Sequence, residues 1–494
     1  MPPQARTSTP PLDANDLHES MESRFEAVEE QFREFGQEHV LRFWDRLDTP
    51  GREGLLAQAE RLGAGLGRWT EAWRSSHERA AGTPAGIEPL EGAIALPSRG
   101  EAPGADRKSA REAGEELLRT GRVAILVVAG GQATRLGFDA PKGAFPLGPV
   151  SDRSLFELQA QKLRGLARRY GRSLPWYVMT SAATEAPTRA LFEANDWWGL
   201  EPEAVHLFSQ EMVPAFDANG HAVLETMGRI FESPDGHGGV IPALARSGAL
   251  SQMEARGIDT VFYYQVDNPL VRMADPVFLG FHRDRGAEVS CKVVRKRDPM
   301  AKWGVVARVA GRPGVVEYTE LGDAERHARD DSGELIYWAG NIAIHVFDTA
   351  FLRRMADNAD RFLPYHLSPK KVPTVDDSGI PLAPAGPNAE KLERFVFDAL
   401  PEAERVCVVE ADAALEFSPV KNAEGDESPQ TARRDLMAVY RSWLDAAGLG
   451  EAVEGQQVEI DHSAVDGPEE ALAMGARQLE EARDWLHCAT EERE

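Results

Sequence analysis

The stretch VAILVVAGGQATRLGFDAPKGAFPLG, residues 123–148, places an apolar run directly before two glycines and two cations. Its first six residues are uncharged and mostly β-branched, and the run is too short for a buried helix, so it predicts a central parallel strand. Gly130 and Gly131 allow the backbone to turn sharply and to approach a ligand closely. Arg135 and Lys142 follow the carboxyl end of the strand, where open α/β sheets bind ligands. The stretch therefore indicates a site for an anion such as phosphate, but both cations could instead be surface residues of a turn.

The rest of the chain places this strand in a sheet. From about residue 112, helical and strand-like segments alternate, which predicts an α/β fold with a mostly parallel sheet and helices on both faces. The segments PWYVMTS (175–181) and TVFYYQVDN (260–268) predict further strands, and GRPG (311–314) predicts a hairpin. The tail that closes the chain is expected to be short, acidic and helical.

The composition excludes several classes of protein. Hydrophobic residues make up 42% of the 494 residues, and no apolar stretch approaches the roughly 18 residues needed to span a bilayer. The opening segment lacks the apolar core of a secretory signal. The formal charge of −25 argues against a nucleic-acid partner, which needs a basic face. Cys291, Cys407 and Cys488 are far apart in sequence and fit neither a disulfide framework nor a zinc site, so a cytoplasmic protein is expected.

Four further positions could carry chemistry, and each also has a purely structural interpretation. Asp267 ends a predicted strand at the same edge of the sheet as the glycine turn, and it could hold Mg²⁺, or could form an Asx turn or a helix cap. His237 in PDGHGG could bond a ligand or simply lie exposed in a loop. Asn341 could bond sugar hydroxyls or stabilise a turn. Lys421 could reach a phosphate or remain solvated.

Taken in order, nine motifs resemble the eukaryotic-type UDP-sugar pyrophosphorylase family, and within it the UDP-N-acetylhexosamine pyrophosphorylases most closely. The resemblance covers roughly residues 20 to 445. The matching segments are VVAGGQATRLG, PKG, WYVMTS, PDGHGG, VDNPLVRMADP, VEYTE, AGNIAIHVF, EKLERFVFD and EFSPVKNAEG.

The resemblance implies a Rossmann-like (GT-A-like) nucleotidyltransferase sheet, and the domains expected are a helical region at 1–98, a central domain at 99–415 and a small C-terminal domain at 416–494. It also implies a Mg²⁺-dependent reaction of UTP with a sugar 1-phosphate that gives UDP-sugar and pyrophosphate. By matching position, Arg135, Lys142 and Lys421 would serve phosphate transfer, and Asp267 would hold the metal. The residues implied to bind the substrates are Ala129, Gly130, Gly131, Gln210, Gly236, His237, Asp267, Glu317, Asn341, Lys391, Phe395 and Phe397.

Two positions depart from the family pattern. Ala133 stands where the family usually has glycine, and His237 stands where the acetylhexosamine enzymes usually have asparagine. Phe395 and Phe397 lie two apart, so on a strand both would face one side and could wall a pocket for an acetyl methyl group. The motif set favours N-acetylglucosamine 1-phosphate, and His237 keeps glucose 1-phosphate or broad specificity open.

Two other functions were compared with the residues present. A dinucleotide-dependent oxidoreductase would need the Gly-x-Gly-x-x-Gly turn, which the sequence lacks. A non-catalytic sugar-nucleotide sensor would not need Arg135, Lys142, Asp267 and Lys421 together. The sequence leaves the oligomeric state open.

Overall fold

The computed structural model describes residues 14–78, 86–95, 105–474 and 479–490. The chain divides into two compact units. The first unit comprises Met1–Ala80, Met212–Gly236 and Tyr365–Arg394, and the second comprises Ala81–Glu211, His237–Pro364 and Phe395–Glu494. The predicted boundary at residue 98 lies outside the described residues, and the predicted three-part division stays a prediction.

The helices and strands follow one another along both units. The α-helices are α1 (Ala14–Glu34), α2 (Thr49–Glu78), α3 (Ala105–Thr120), α4 (Leu155–Tyr170), α5 (Glu185–Ala194), α6 (Val240–Arg246), α7 (Ala249–Ala255), α8 (Pro276–Asp284), α9 (Asp323–His327), α10 (Thr349–Asp357), α11 (Ala359–Phe362), α12 (Ala413–Glu416), α13 (Pro429–Ala446) and α14 (Pro468–Ala473). The strands are β1 (Ile87–Glu88), β2 (Ile94–Ala95), β3 (Val123–Val128), β4 (Trp176–Thr180), β5 (Val205–Ser209), β6 (Met212–Pro214), β7 (Leu224–Thr226), β8 (Arg229–Ile230), β9 (Glu232–Pro234), β10 (Thr260–Gln265), β11 (Val289–Arg295), β12 (Val305–Val309), β13 (Arg312–Val316), β14 (Ala339–Asp348), β15 (Tyr365–Lys370), β16 (Thr374–Val375), β17 (Pro381–Leu382), β18 (Ala389–Arg394), β19 (Val406–Ala411), β20 (Gln456–Ile460) and β21 (Leu486–Thr490).

The second unit is built on one large mixed sheet. Its main path runs β2-β19-β11-β14-β10-β3-β4-β5, and β1, β12 and β13 extend it. Neighbouring strands are parallel from β10 through β3 and β4 to β5, whereas β14 runs antiparallel between β10 and β11. The predicted mixed, mostly parallel sheet is confirmed, and β12 and β13 form the predicted hairpin.

Helices cover both faces of this sheet, as the central strand β3 shows. Successive side chains of β3 pack alternately into two apolar cores. Val123, Ile125 and Val127 pack into one core together with residues of α3, α4 and α8. Ala124 and Leu126 pack into the opposite core together with residues of α6, α7 and α10. All five of these side chains are at most 1% exposed. A strand buried on both faces is continuously apolar, which explains the unbroken run in the sequence.

The first unit confirms the helical N-terminal region and adds short strands that the sequence did not predict. The apolar face of α2 packs against β-strand residues within one core, which includes Trp69, Val213, Phe216 and Leu392. Trp69 donates its indole N–H to the hydroxyl of Tyr365.

The end of the chain differs from the predicted helical tail. After α13, the strands β20 and β21 pair antiparallel, and Val458 lies opposite Cys488. Val458 and Ile460 are fully buried and share a core with Leu155 and Leu158 of α4. The prediction was wrong because the acidic residues of this segment suggested a solvated helix, whereas its alternating apolar residues bury one face of a hairpin. In the described part of the chain, no helix is both long and apolar enough to cross a bilayer.

Candidate functional site

The loop after β3 leaves little space for a side chain at position 130. The buried N–H of Ala129 donates to the Met179 carbonyl, and the hydroxyl of Ser181 donates to the Gly130 carbonyl. A Cβ atom on Gly130 would lie 2.3 Å from Nε2 of Gln210. The Gln210 side chain is buried, and its Oε1 has no hydrogen-bond partner in the described part of the chain. The loop therefore places a carboxamide with an unused acceptor against its glycine.

The loop returns to the end of β3 at Lys142. The N–H of Lys142 donates to the Gly131 carbonyl over 3.0 Å, and the N–H of Ala133 donates to the Ala140 carbonyl. Gly131 is exposed, and a Cβ atom added there would meet no described atom within 4 Å. Arg135 lies on the outer part of the loop, exposed, and its guanidinium makes no ion pair with the described residues. The two predicted cations therefore differ: Lys142 is held against the sheet, and Arg135 faces solvent.

Asp267 lies at the same edge of the sheet. The strand β10 pairs in parallel with β3 and ends at Gln265, so Asp267 belongs to the turn that follows rather than to the strand itself. The Lys142 ammonium lies 3.0 Å from Oδ2 of Asp267. Burial acts to raise the pKa of Asp267, but the nearby charges of Lys142 and Lys421 outweigh it and hold that pKa below its usual range. Asp267 is therefore a carboxylate at neutral pH.

Lys421 reaches this edge from a segment that follows α12. The N–H of Val420 donates to the Asp267 carbonyl over 2.9 Å, which fixes the two chain segments together. The Lys421 side chain is 39% exposed, and its Nζ lies 3.3 Å from Oε2 of Glu427. Two ammonium groups from distant parts of the sequence thus flank one carboxylate, as a site for a polyanion needs.

A pocket of about 140 Å³ lies at this point and brings four of the predicted residues together. Its lining includes Asp267, Glu317, Asn341 and Lys421. Asn341 reaches it through an irregularity in β14, where the pairing with β11 shifts register between Lys292 and Val293.

This irregularity has a local cause. Ala343 has a positive φ of 55°, and its N–H donates to Oδ1 of Asn341. The backbone N–H of Asn341 donates to the Gly304 carbonyl over 2.8 Å. The bulge therefore makes Asn341 both a turn stabiliser and part of the pocket lining, so the two interpretations of this residue hold together.

Three predicted residues form an aromatic cluster in the second unit. The ring centroid of His237 lies 5.3 Å from that of Phe395 and 5.4 Å from that of Phe397, and the His237 and Phe395 rings are stacked. The expected strand geometry is wrong, because β18 ends at Arg394 and Phe397 lies in a 3₁₀-helix, Val396–Glu402. The two phenylalanines are nevertheless neighbours, with centroids 5.1 Å apart. The N–H of Val396 donates to Nδ1 of His237 over 3.1 Å, so the imidazole acts as an acceptor there.

The last two predicted residues, Gly236 and Lys391, belong to the first unit. Gly236 has a φ of +86°, and a Cβ atom there would lie 2.5 Å from the Arg394 carbonyl, so only glycine fits. Lys391 lies on β18, with its ammonium 5.3 Å from the centroid of the Phe231 ring. Their roles toward a nucleotide and a sugar stay predictions.

Two further residues near the site were not predicted from the sequence. Glu427 accepts from Lys421 and from the indole N–H of Trp303 over 3.1 Å. Trp303 lines the pocket and packs edge-on against Phe417, with centroids 5.4 Å apart. Glu427 lies in a polar stretch that gives no periodic signal, and only the tertiary fold brings it to Trp303.

The residues at this edge suit a metal ion that shares its ligands with a substrate. Among the described residues, no cluster of three or more histidine, cysteine, aspartate or glutamate side chains could hold a metal ion. Asp267 is a single ionised carboxylate beside two ammonium groups. This donor set fits Mg²⁺, which proteins commonly bind through one or two carboxylates, substrate phosphates and water.

Comparison with known proteins gives consistent matches over most of the chain. Residues 96–439 match the family model described as UTP–glucose-1-phosphate uridylyltransferase. The chain is 38% identical over 466 residues to the UDP-N-acetylhexosamine pyrophosphorylase-like protein 1 of Xenopus tropicalis, an alignment that covers 92% of this chain and 90% of the relative. It is 35% identical over 432 residues to the UDP-N-acetylglucosamine pyrophosphorylase of Saccharomyces cerevisiae, with coverages of 84% and 90%.

A solved structure agrees with the fold. The crystal structure of the uridine diphosphate N-acetylglucosamine pyrophosphorylase from Trypanosoma brucei in complex with inhibitor matches with a TM-score of 0.76 at 30% identity. The match covers 91% of this chain and 90% of that chain.

Proposed function

Because the chain belongs to the UTP–glucose-1-phosphate uridylyltransferase family, we propose that it joins UTP and N-acetylglucosamine 1-phosphate to give UDP-N-acetylglucosamine and pyrophosphate. The observation that carries the proposal is the position of Lys142, Asp267 and Lys421 around one sheet edge, directly beside the glycine loop. The names of the relatives from X. tropicalis and S. cerevisiae support the acetylated sugar.

The reaction demands charge neutralisation more than proton transfer. An oxygen of the sugar phosphate attacks the α-phosphorus of UTP, the bond from that phosphorus to the bridging oxygen of the β-phosphate breaks, and pyrophosphate leaves with the bonding electrons. The nucleophile is already an anion, so the site needs no base, and its task is to align two anions and stabilise the transition state. Lys142 and Lys421 provide cations held near the sheet edge, and Arg135 is an exposed third.

Asp267 would hold Mg²⁺, which when bound supplies further neutralisation of phosphate charge. In this chain the carboxylate is already kept ionised by Lys142 and Lys421. When UTP binds, Lys142 would exchange its contact with Oδ2 of Asp267 for a phosphate oxygen, and its side chain, 19% exposed, is accessible from solvent.

The uracil base would lie against the glycine loop. Nε2 of Gln210 lies against Gly130, and its Oε1 is buried without a partner in the described residues. Once the carboxamide turns toward the base, that oxygen would accept from the N3–H of uracil. A buried acceptor that only a ligand can satisfy favours the base that carries a donor at that position.

His237 can make the same hydrogen bond as the asparagine that the acetylhexosamine enzymes usually have at this position, although histidine is the larger residue. Nδ1 of His237 accepts from the Val396 N–H, and an asparagine Oδ1 is separated from Cα by the same number of bonds. Either side chain can therefore satisfy that N–H. The stacked Phe395 and the adjacent Phe397 supply an apolar surface suited to an acetyl methyl, whose burial contributes about 1 kcal/mol.

The test is pyrophosphate release by the full chain with UTP, Mg²⁺ and a panel of sugar 1-phosphates. N-acetylglucosamine 1-phosphate should give the highest kcat/KM. Replacing UTP by ATP or CTP at subsaturating concentration should lower the rate. Binding of UDP-N-acetylglucosamine without any pyrophosphate release would instead identify a non-catalytic sensor. We also propose a cytoplasmic location, which the free thiols of Cys291, Cys407 and Cys488 support.

A further inference from the structure

The second unit contains a cavity of about 870 Å³ that the proposed reaction does not use. It lies among α3, α4 and α13, and it is several times larger than the 140 Å³ pocket beside Asp267. Sites for drug-sized ligands commonly have volumes of about 300–1,000 Å³ and combine apolar walls with a few converging polar groups. The cavity has both of these properties.

One wall of the cavity is apolar. It is formed by Leu415 of α12 and by Leu436, Val439 and Trp443 of α13. Leu436 and Val439 are 2% and 7% exposed, so they form a fixed surface, and the half-buried Trp443 offers an aromatic face. Such a wall suits the hydrocarbon or ring portion of an organic molecule.

The other wall carries a buried cation. Lys162 of α4 is 4% exposed, and its Nζ donates to the carbonyls of Pro269 and Val271 over 2.6 and 2.9 Å. An ammonium has three donors, so one N–H is left over, and no carboxylate in the described part of the chain forms an ion pair with it. Burial lowers the pKa of Lys162 to about 8, which leaves the side chain mostly protonated at neutral pH.

Six carboxylates among the described residues line the cavity, and four of them pair with basic side chains. Asp275 and Glu416 both pair with the buried Lys292, at 2.8 and 2.5 Å. Glu469 pairs with Arg111 at 3.0 Å, and Asp466 accepts from His462. The charges of Asp466 and Glu416 act to raise the pKa of Lys162, but neither carboxylate forms an ion pair with it, so its third N–H stays available to an anionic group.

The mouth of the cavity adds positive charge. Arg107, Lys108 and Arg111 lie close together on α3 and line the cavity, and of these Arg111 is paired with Glu469. Lys108 is exposed and makes no ion pair with the described residues. In a chain with a formal charge of −25, a cluster of cations at a cavity mouth attracts anions locally.

We propose that this cavity binds a small amphipathic organic anion, with its carboxylate, sulfonate or phosphate group at Lys162 and its apolar body against Val439 and Trp443. The site is separate from the residues assigned to UTP and the sugar phosphate.

Binding there has a structural route to the active site. The wall residues Pro269 and Leu270 directly follow Asp267 and Asn268 in the chain. The Asn268 side chain donates to the Glu416 carbonyl over 2.7 Å and accepts from the N–H groups of Leu270 and Ser418. A ligand held against this segment would restrain the position of Asp267, so we expect it to alter kcat without competing with UTP.

The test uses 8-anilinonaphthalene-1-sulfonate, an aromatic sulfonate whose fluorescence rises on binding, with the full-length chain. We expect saturable binding at one site that excess UTP does not displace. Ser442→Trp places an indole in the cavity and should weaken binding at least tenfold. The matched control is Ala438→Trp on the same helix, exposed and outside the cavity lining, which should bind the probe like the wild type.

The charge is tested separately. Lys162→Met should weaken sulfonate binding at least tenfold, yet leave unchanged the binding of N-phenyl-1-naphthylamine, which has similar rings and no charge. Should Lys162→Met fail to fold, the exposed Lys108→Glu carries the same test, with an expected loss of several-fold that shrinks at high salt. Equal binding by Ser442→Trp and Ala438→Trp, displacement by UTP, or equal losses for the charged and uncharged probes would each overturn the proposal.

Discussion

The ammonium of Lys142 and the carboxylate of Asp267 lie 3.0 Å apart, although 125 residues separate them in the chain. Neither side chain is more than 19% exposed. The pair exists because β3 and β10 are parallel neighbours, which brings the segments after both strands to one edge of the sheet. The proposed reaction depends on this pair, because it sets a cation beside the carboxylate that is proposed to hold Mg²⁺.

Replacing Asp267 by asparagine should abolish Mg²⁺-dependent pyrophosphate release while the fold survives. The carboxamide keeps the shape of the side chain but binds Mg²⁺ weakly and leaves the Lys142 charge without its partner. Turnover as a function of Mg²⁺ concentration measures this. Asp139→Asn, at an exposed position of the same loop as Lys142, is the matched control and should keep wild-type Mg²⁺ dependence. A folded Asp267→Asn enzyme with normal dependence would refute the assignment.

Removing the Lys421 ammonium should lower kcat on the order of 100-fold, about 2.7 kcal/mol, as expected when one charged donor to a transition state is lost. The measurement is steady-state kinetics of Lys421→Ala. A change in KM with kcat intact would assign Lys421 to uniform binding instead.

The contact of Glu427 with Lys421 predicts how these two residues couple. Glu427→Gln keeps an acceptor for the Trp303 indole but removes the charge that holds Lys421, so it should lower kcat less than Lys421→Ala does. The double variant should behave like Lys421→Ala alone, because the effect of Glu427 acts through that lysine. Additive losses would show an independent role for Glu427.

Gly130→Ala should raise the KM for UTP at least tenfold and lower the melting temperature. Its Cβ would lie 2.3 Å from Nε2 of Gln210 and 3.2 Å from the Thr180 backbone carbon, so the carboxamide must leave its position. Gly131→Ala is the comparison for stability, since its Cβ meets nothing within 4 Å, and its melting temperature should match the wild type. Equal melting temperatures and equal KM values for wild type and Gly130→Ala would contradict the proposed base pocket.

His237→Asn should raise or leave unchanged the preference for the acetylated sugar, because either side chain can accept from the Val396 N–H. His237→Leu removes that acceptor and should lower activity toward every sugar 1-phosphate. The measurement is the ratio of kcat/KM values for N-acetylglucosamine and glucose 1-phosphates in each variant. A shift of His237→Asn toward glucose would show that the imidazole itself selects the acetyl group.

Acid should destabilise the fold through buried histidines. Burial lowers the pKa of His345 to about 3 and that of His282 to about 4. Below about pH 6.5 the unfolded chain binds protons that the native state does not, so stability falls as pH falls toward these values. At pH 5, His345 should lower the free energy of unfolding by about 2 kcal/mol.

His345→Phe should therefore reduce the drop in melting temperature between pH 7 and pH 5, whereas His327→Phe, at an exposed position, should leave it as in the wild type. An unchanged drop in His345→Phe would show that other groups dominate acid unfolding.

The elements predicted from the sequence are those whose burial pattern is strong. The run 123–128 is apolar on both faces because helices cover both faces of the sheet, and this is why strand β3 and its neighbours were predictable. The edge position of Asp267 followed from the same rule for parallel strands.

The contacts that depend on tertiary packing were not predictable in this way. Phe395 and Phe397 were expected on a strand, but β18 ends at Arg394 and the cluster with His237 forms beside a 3₁₀-helix instead. The contacts of Glu427 and the cavity beside Lys162 form where segments far apart in the chain pack together. Local periodicity gives no information about such long-range contacts.

The most direct test of the central claim is the ratio of kcat/KM for N-acetylglucosamine 1-phosphate to that for glucose 1-phosphate, with UTP and Mg²⁺, scored by pyrophosphate release from the wild-type chain. We expect pyrophosphate release with N-acetylglucosamine 1-phosphate and a ratio well above one. A kcat/KM for glucose 1-phosphate at least tenfold above that for N-acetylglucosamine 1-phosphate would contradict the proposed function. So would the absence of pyrophosphate release with every sugar 1-phosphate.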